Sequence, residues 1–182
     1  MSRPLVLGEL QDYLTGETIA DTADERLRQR VARHLVEQSG YALADIAARA
    51  AHEIESAHAA SGVETVVIDF VVSVRKRAGL VIRYGPGSLV SRERPTIAAA
   101  RRLEPACVVP IAVATNGRDA RILDAVTKKL IATGLDRIPT RAELARRLED
   151  QEPTVLSAEH RAAEGRILLA YDHIDRTCGC DG

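Results

Sequence analysis

The stretch Val63 to Val74, almost continuously apolar, reads Val-Glu-Thr-Val-Val-Ile-Asp-Phe-Val-Val-Ser-Val and predicts a strand buried within a sheet. Polar residues Arg75 to Gly79 separate it from Leu80-Val81-Ile82-Arg83-Tyr84, so the two runs predict a β-hairpin with a longer loop. Gly85-Pro86-Gly87-Ser88 then breaks the chain, and Ser91 or a neighbour caps a predicted helix through Ile97, Ala100 and Leu103 that stops near Pro105. Val108 to Ala114 is a further apolar strand, closed by the turn Thr115-Asn116-Gly117. Strand, helix and strand in that order over residues 80–114 imply a crossover, and hence a mixed sheet. Ile122-Leu123 and Leu130-Ile131 flank a polar turn at Lys128-Lys129 and predict a small hairpin, with a helix as the competing reading.

Helical spacing fills the remainder. Thr22-Ala23-Asp24-Glu25 has the form of a capping box ahead of a helix with Leu27, Val31 and Leu35 on its apolar face and Gly40 as its stop. A second box, Thr140-Arg141-Ala142-Glu143, opens a helix carrying Leu144 and Leu148. Ala163, Ile167, Ala170 and Ile174 mark a last helix from about Ser157 to Arg176, which packs on the body or on a second copy. Leu5, Leu7, Leu10 and Leu14 suggest a short docking helix, and the Ala-rich stretch 42–60 reads as a helix extension followed by a short strand. The resulting expectation is an α/β (α+β) fold, with a mixed central sheet flanked by helices and a C-terminal helix. It divides into a docking segment 1–19, a main domain 20–150 and a helix and tail 151–182.

Composition narrows the function classes. Hydrophobic residues at 46% and charged residues at 28% describe a folded domain. Aromatics at 3% with no Trp argue against a single-strand binder built on stacking platforms. A net charge of -1 supplies no global attraction to phosphate and leaves DNA binding to a local basic face. No membrane span or signal core is legible, so a cytoplasmic location without membrane contact is expected. Cys107, Cys178 and Cys180 are read as reduced thiols, since Cys-x-Cys with His173 alone falls short of a four-ligand zinc site. No nucleophile elbow and no phosphate loop occur, so neither a hydrolase triad nor a nucleotide-driven motor is expected in this chain.

The order of elements carries a resemblance. Asp24-Glu25-Arg26-Leu27-Arg28-Gln29, the strand Ile68-Asp69-Phe70-Val71-Val72, the break at Pro86-Gly87, Pro110 to Gly117, and Ile138-Pro139-Thr140-Arg141-Ala142-Glu143-Leu144 succeed one another as in the PD-D/E-x-K nuclease core of type I restriction R-subunit N-terminal domains. The resemblance spans roughly residues 20–145 and implies a restriction-endonuclease-like fold. In that family, carboxylates hold a magnesium ion that activates water, and a lysine steadies the phosphate. Asp69 matches the first ligand and Glu25 the acidic residue of the first helix, although a capping box wants Glu at that place for backbone reasons alone. The second motif departs from the pattern: Ile82 stands at the acidic position, Arg83 follows, and Tyr84 replaces the lysine. The helix that often carries Gln and Tyr reads Ala98-Ala99-Ala100-Arg101-Arg102-Leu103.

The resemblance therefore implies a degenerate member without catalysis, binding DNA or a protein partner and needing no cofactor. Two alternatives stay open. One is an active magnesium-dependent endonuclease with Glu93 as relocated ligand and Lys76 or Arg83 as its cation; the other is a structural or homo-oligomeric module. Asp69 has a structural reading too, as the partner of Arg83 or Arg75. For nucleic acid the candidates are Lys76 in the run Arg75-Lys76-Arg77, Arg83, and the helix face with Arg92, Arg94, Arg101 and Arg102, diluted by Glu93 and Glu104.

Overall fold

The structure, a computed structural model, describes residues 5–56, 59 and 61–178, with no account of the side chains beyond His173. A two-stranded hairpin comes first, β1 (Gly8–Gln11) and β2 (Thr18–Asp21). This replaces the expected docking helix. Asp12 shows why: its Oδ1 accepts the backbone N–H groups of Leu14 and Thr15, an Asx-type turn that ends the first strand before helical turns can form. Helix α1 (Ala23–Arg33) runs on through a π-helical turn to Gln38, and Gly40 at φ 74 ends it.

A six-stranded mixed sheet forms the body, in spatial order β3 (Ile46–Glu55), β4 (Val63–Val74), β5 (Arg77–Tyr84), β6 (Ile111–Thr115), β7 (Ala120–Asp124) and β8 (Leu130–Thr133). The one parallel pair is β5 with β6, joined by the crossover helix α2 (Val90–Arg102), as the order of elements in the sequence predicts. No side chain caps α2; Ser91 lies inside its first turn and donates to the Ser88 carbonyl. The hairpin β7–β8 forms where the paired apolar runs place it. Helix α3 (Arg141–Asp150) opens on the complete capping box Thr140/Glu143, and α4 (Ala158–Cys178) closes the chain.

Two sequence expectations are corrected in the sheet. The Ala-rich segment is a ten-residue edge strand, β3, because pairing to the strongly apolar β4 outweighs the modest helix propensity of its alanines. The β4–β5 connection is not a long loop but two residues, Arg75 and Lys76, both at positive φ as a primed hairpin turn requires.

Apolar clusters cover both faces. One packs Val31 and Leu35 of α1 and Leu144 and Leu148 of α3 against Val72, Leu80, Ile82, Ile111 and Val113. The other packs Ile97 and Ala98 to Ala100 of α2 and Leu168 and Leu169 of α4 against Val66, Ile68, Val81 and Ala112. Residues of equal parity should share one face of a strand. On β4 they do not: Val66 and Ile68 belong to the α4 side, Phe70, Val72 and Val74 to the α1 side. On β3 Ile46 lies on the α1 side and Ile54 on the α4 side. Both strands change face at one level, where Arg49 of β3 (φ 50) stands beside Asp69 of β4. Among the described residues no helix is long and apolar enough to cross a membrane.

Candidate functional site

Asp69 sits where two strands part. The last paired residues of the β4–β5 ladder at this end are Phe70 and Ile82, so the backbone N–H of Tyr84 has lost its antiparallel partner. Asp69 takes its place: Oδ2 accepts from the Tyr84 N–H at 2.8 Å, and Oδ1 accepts from Arg28 Nε at 2.7 Å. The expected partners Arg83 and Arg75 are engaged elsewhere, Arg83 with Asp172 of α4 at 3.4 Å and Arg75 with Glu149. An aspartate in an apolar strand is tolerated here because it closes an otherwise open backbone donor and neutralises a guanidinium.

Helix α1 brings the remaining groups. Thr22 caps it, its Oγ1 accepting from the Glu25 N–H at 3.1 Å, and that start fixes the helical phase of Asp24, Glu25, Arg28 and Gln29. The Glu25 carboxylate does not reach back to complete a box. It accepts from Arg49 at 2.7 Å and from Gln29 Nε2 at 2.9 Å, with Arg28 at 3.9 Å. Arg28 also lies over the Tyr84 ring, 4.6 Å from its centroid, a cation–π contact that fixes the plane of the guanidinium. The Tyr84 hydroxyl donates to Asp24 Oδ1 at 2.7 Å. Burial and that bond to a carboxylate push the phenol pKa well above its ordinary value.

Asp12 completes the cluster from the hairpin, accepting from Arg49 at 3.0 Å and Gln29 at 3.0 Å. Burial works to raise its pKa, but its hydrogen bonds from Thr15, Arg49, Gln29 and Leu14 outweigh that and hold the carboxyl below its ordinary value. Arg49 is reached only because β3 takes a left-handed residue in mid-strand, a conformation that costs a side chain roughly 1–2 kcal/mol. Burial would lower the Arg49 pKa, and its bonds to Glu25 and Asp12 raise it instead.

The donor set does not suit a divalent ion. Magnesium wants several hard carboxylate oxygens converging on one point. Strand β5 offers Ile82, fully buried in the core, then Arg83 and Tyr84. Asp69 and Glu25 face the arginines, and no group of three or more His, Cys, Asp or Glu side chains among the described residues is placed to hold a metal. Glu93, the expected relocated ligand, is bound to Arg121 of β7. Lys76 lies in the hairpin turn at the far end of β4 from Asp69, seven residues or roughly 20 Å away along the strand.

Half of the expected basic face of α2, Arg94 and Arg101, is taken up by α4. Arg101 is buried, its Nε 2.7 Å from Glu164 and its Nη1 donating to the carbonyl of Ala125; this corrects its reading as a surface phosphate contact. Arg94 and Lys128 reach the same glutamate at 2.6 Å and 3.3 Å. The carbonyl of Arg102 accepts from Arg161 of α4. Arg92 folds across Gly85 toward the Pro86 carbonyl at 3.2 Å; a Cβ on residue 85 would come within 2.2 Å of its guanidinium carbon. His173 lies beside Glu64 at 2.5 Å, Cys107 is a free thiol, and the thiols of Cys178 and Cys180 fall outside the described residues.

Arg28, Arg49, Asp12, Gln29 and Asp24 escaped the sequence reading as members of one cluster. Asp12-Tyr13-Leu14-Thr15-Gly16 carries a turn signal that could have placed a hairpin before α1, but nothing local foretells where Arg49 points.

These features define a mixed-sheet α+β domain whose polar cluster is built by the first helix where two central strands part. The family model of the type I restriction enzyme R protein N terminus matches residues 23–139, well over half the chain, and the chain belongs to that family. The match begins with α1 and ends before α3, so it includes Glu25, Arg28, Asp69 and Tyr84 and leaves out Asp12 and α4. No curated protein and no solved structure matches the chain.

Proposed function

We propose that this domain is a non-cleaving form of the restriction-endonuclease-like core, kept for binding DNA or a protein rather than for hydrolysis. The observation that carries the reading is the place of Arg28. Its guanidinium sits between Asp69, which matches the family's first metal ligand, and Glu25, which matches the acidic residue of its first helix, while β5 supplies no acidic partner. A guanidinium neutralises carboxylates permanently, yet it cannot bind water as a ligand or lower its pKa, which is what phosphodiester hydrolysis asks of the metal.

The test is incubation of the purified protein with supercoiled plasmid in magnesium or manganese, beside the Asp69→Asn variant. Both should leave the plasmid supercoiled. Nicking or linearisation by the wild type that disappears in Asp69→Asn would overturn the reading.

A further inference from the structure

Helix α1 has a second polar face, pointing away from the Asp69 cluster. Arg26, Arg30 and Arg33 are all exposed, and at 100° per residue they fall within about 60° of one another around the helix. With Leu10 and Gln11 of the β1–β2 hairpin, and with Asp21 and Gln29, they line a groove of about 630 Å³.

Its charge is unbalanced. Asp21 is the one carboxylate in the lining, and it is committed to Arg26 through two contacts of 2.6 Å, which hold its pKa below the ordinary carboxylate range. Among the described residues no carboxylate lies within ion-pair distance of Arg30 or Arg33. Glu37, next on the same face, accepts from the Tyr13 hydroxyl at 3.0 Å. Arg33 lies 5.3 Å from the Tyr13 ring centroid, so part of its conformational freedom is already given up.

We infer that this groove is a phosphate-backbone site, and that the partner left open above is duplex nucleic acid lying across α1 against the hairpin. Arg26 to Arg33 spans about 10 Å of helix. A duplex strand advances about 3.4 Å per phosphate along its axis while winding around it, so neighbouring phosphates lie farther apart than that rise, and Arg30 and Arg33, the two without a carboxylate partner among the described residues, suit two successive phosphates of one strand. Fork-shaped guanidiniums suit phosphate oxygens, and no site for reading bases is needed. The inference rests on the non-cleaving reading only for its account of why binding without hydrolysis would be useful.

The experiment titrates the full chain into a short fluorescein-labelled DNA duplex of arbitrary sequence and follows anisotropy at graded salt. Wild type should bind with affinity falling steeply as salt rises. The pair Arg30→Gln/Arg33→Gln should weaken binding at least about tenfold and make the log–log salt slope shallower by about 2, the loss of two phosphate contacts. The pair Arg30→Lys/Arg33→Lys should keep most of that slope, and Arg146→Gln, an exposed arginine on α3, should leave it unchanged. An unchanged slope in the glutamine pair, or no binding by wild type at low salt, would overturn the groove while leaving the non-cleaving reading intact. Poly-glutamate occupying the groove where duplex does not would overturn it too, in favour of an acidic protein surface. Plasmid cutting that depends on Asp69, with duplex binding still lost in the glutamine pair, would remove the non-cleaving reading and leave the groove standing.

Discussion

On the α2–α4 side of the sheet one carboxylate, Glu164, collects Arg94, Arg101 and Lys128; on the α1 side Asp12, Glu25 and Asp69 share Arg28 and Arg49. The first cluster holds an element in place, since α4 supplies the anion and α2 and the β7–β8 turn supply the cations. The second ties the hairpin, α1, β3 and β4 together around the level where the sheet changes face. Runs of arginine on α1 and α2 look alike in the sequence, and burial separates them. On α2, Arg94 and Arg101 are taken by Glu164 of α4, whereas on α1 helical phase turns Arg28 inward and leaves Arg26, Arg30 and Arg33 at the surface.

The comparison breaks most easily at Glu164. It is 3% exposed, and Glu164→Ala would leave Arg101 buried without its counter-charge. Removing one partner of a buried pair costs about 3–5 kcal/mol, so this variant should show the largest loss in urea unfolding. Burial tends to raise the Glu164 pKa, but Arg94 and Lys128 outweigh it and the net shift is downward. A carboxyl lowered in the folded state contributes stability that is complete above its ordinary 4.5 and is lost as pH falls through the folded value. Wild type should therefore lose more stability than Glu164→Gln as the pH falls below that ordinary value of 4.5. Parallel acid profiles would show that the glutamate is not the anchor of α4.

The α1 cluster should yield less to one substitution because its charges have several partners. Arg28→Ala leaves Asp69 with only the Tyr84 N–H and should cost about 1–3 kcal/mol. Asp69→Asn should cost less than Arg28→Ala, because an amide oxygen can still accept from that N–H. If Arg28→Ala melts with wild type, the guanidinium is not what holds Asp69 and Glu25 together.

How far the sequence revealed all this depends on the range of each interaction. Strand β4 is given from end to end by its own residues, and the box at Thr140 and Glu143 forms as written, because patterns and caps are local. Strand β3 is hidden behind helix-favouring alanines, since its stability comes from β4. Asp69 is recognisable as a charge out of place, but its partner is 41 residues away on α1, and only the fold could choose Arg28 over the nearby Arg83. The inward turn of Glu25 is hidden for a different reason: Thr22-x-x-Glu25 spells a capping box, yet the long-range pull of Arg49 and Gln29 wins over the local bond. Arg101 misleads because a helical face scored for charge carries no sign that another helix will cover it.

Each cluster includes a cation whose backbone is left-handed, Arg49 at φ 50 and Lys128 at φ 62, and this permits the finest test. Lys128 occupies a tight turn, where that conformation is common, while Arg49 interrupts an edge strand. Glycine removes the steric cost of about 1–2 kcal/mol, but its freer unfolded chain returns about 0.4–1 kcal/mol of that. Arg49→Gly should consequently be more stable than Arg49→Ala by about 0.5–1 kcal/mol, although both lose the bonds to Asp12 and Glu25. Urea midpoints with equal slopes measure the difference directly. If alanine proves more stable than glycine at this position by that same margin of about 0.4–1 kcal/mol, the backbone is unstrained and the ion pairs alone direct Arg49. If glycine also matches wild type, the bonds to Asp12 and Glu25 do no more than offset the conformation that makes them reachable.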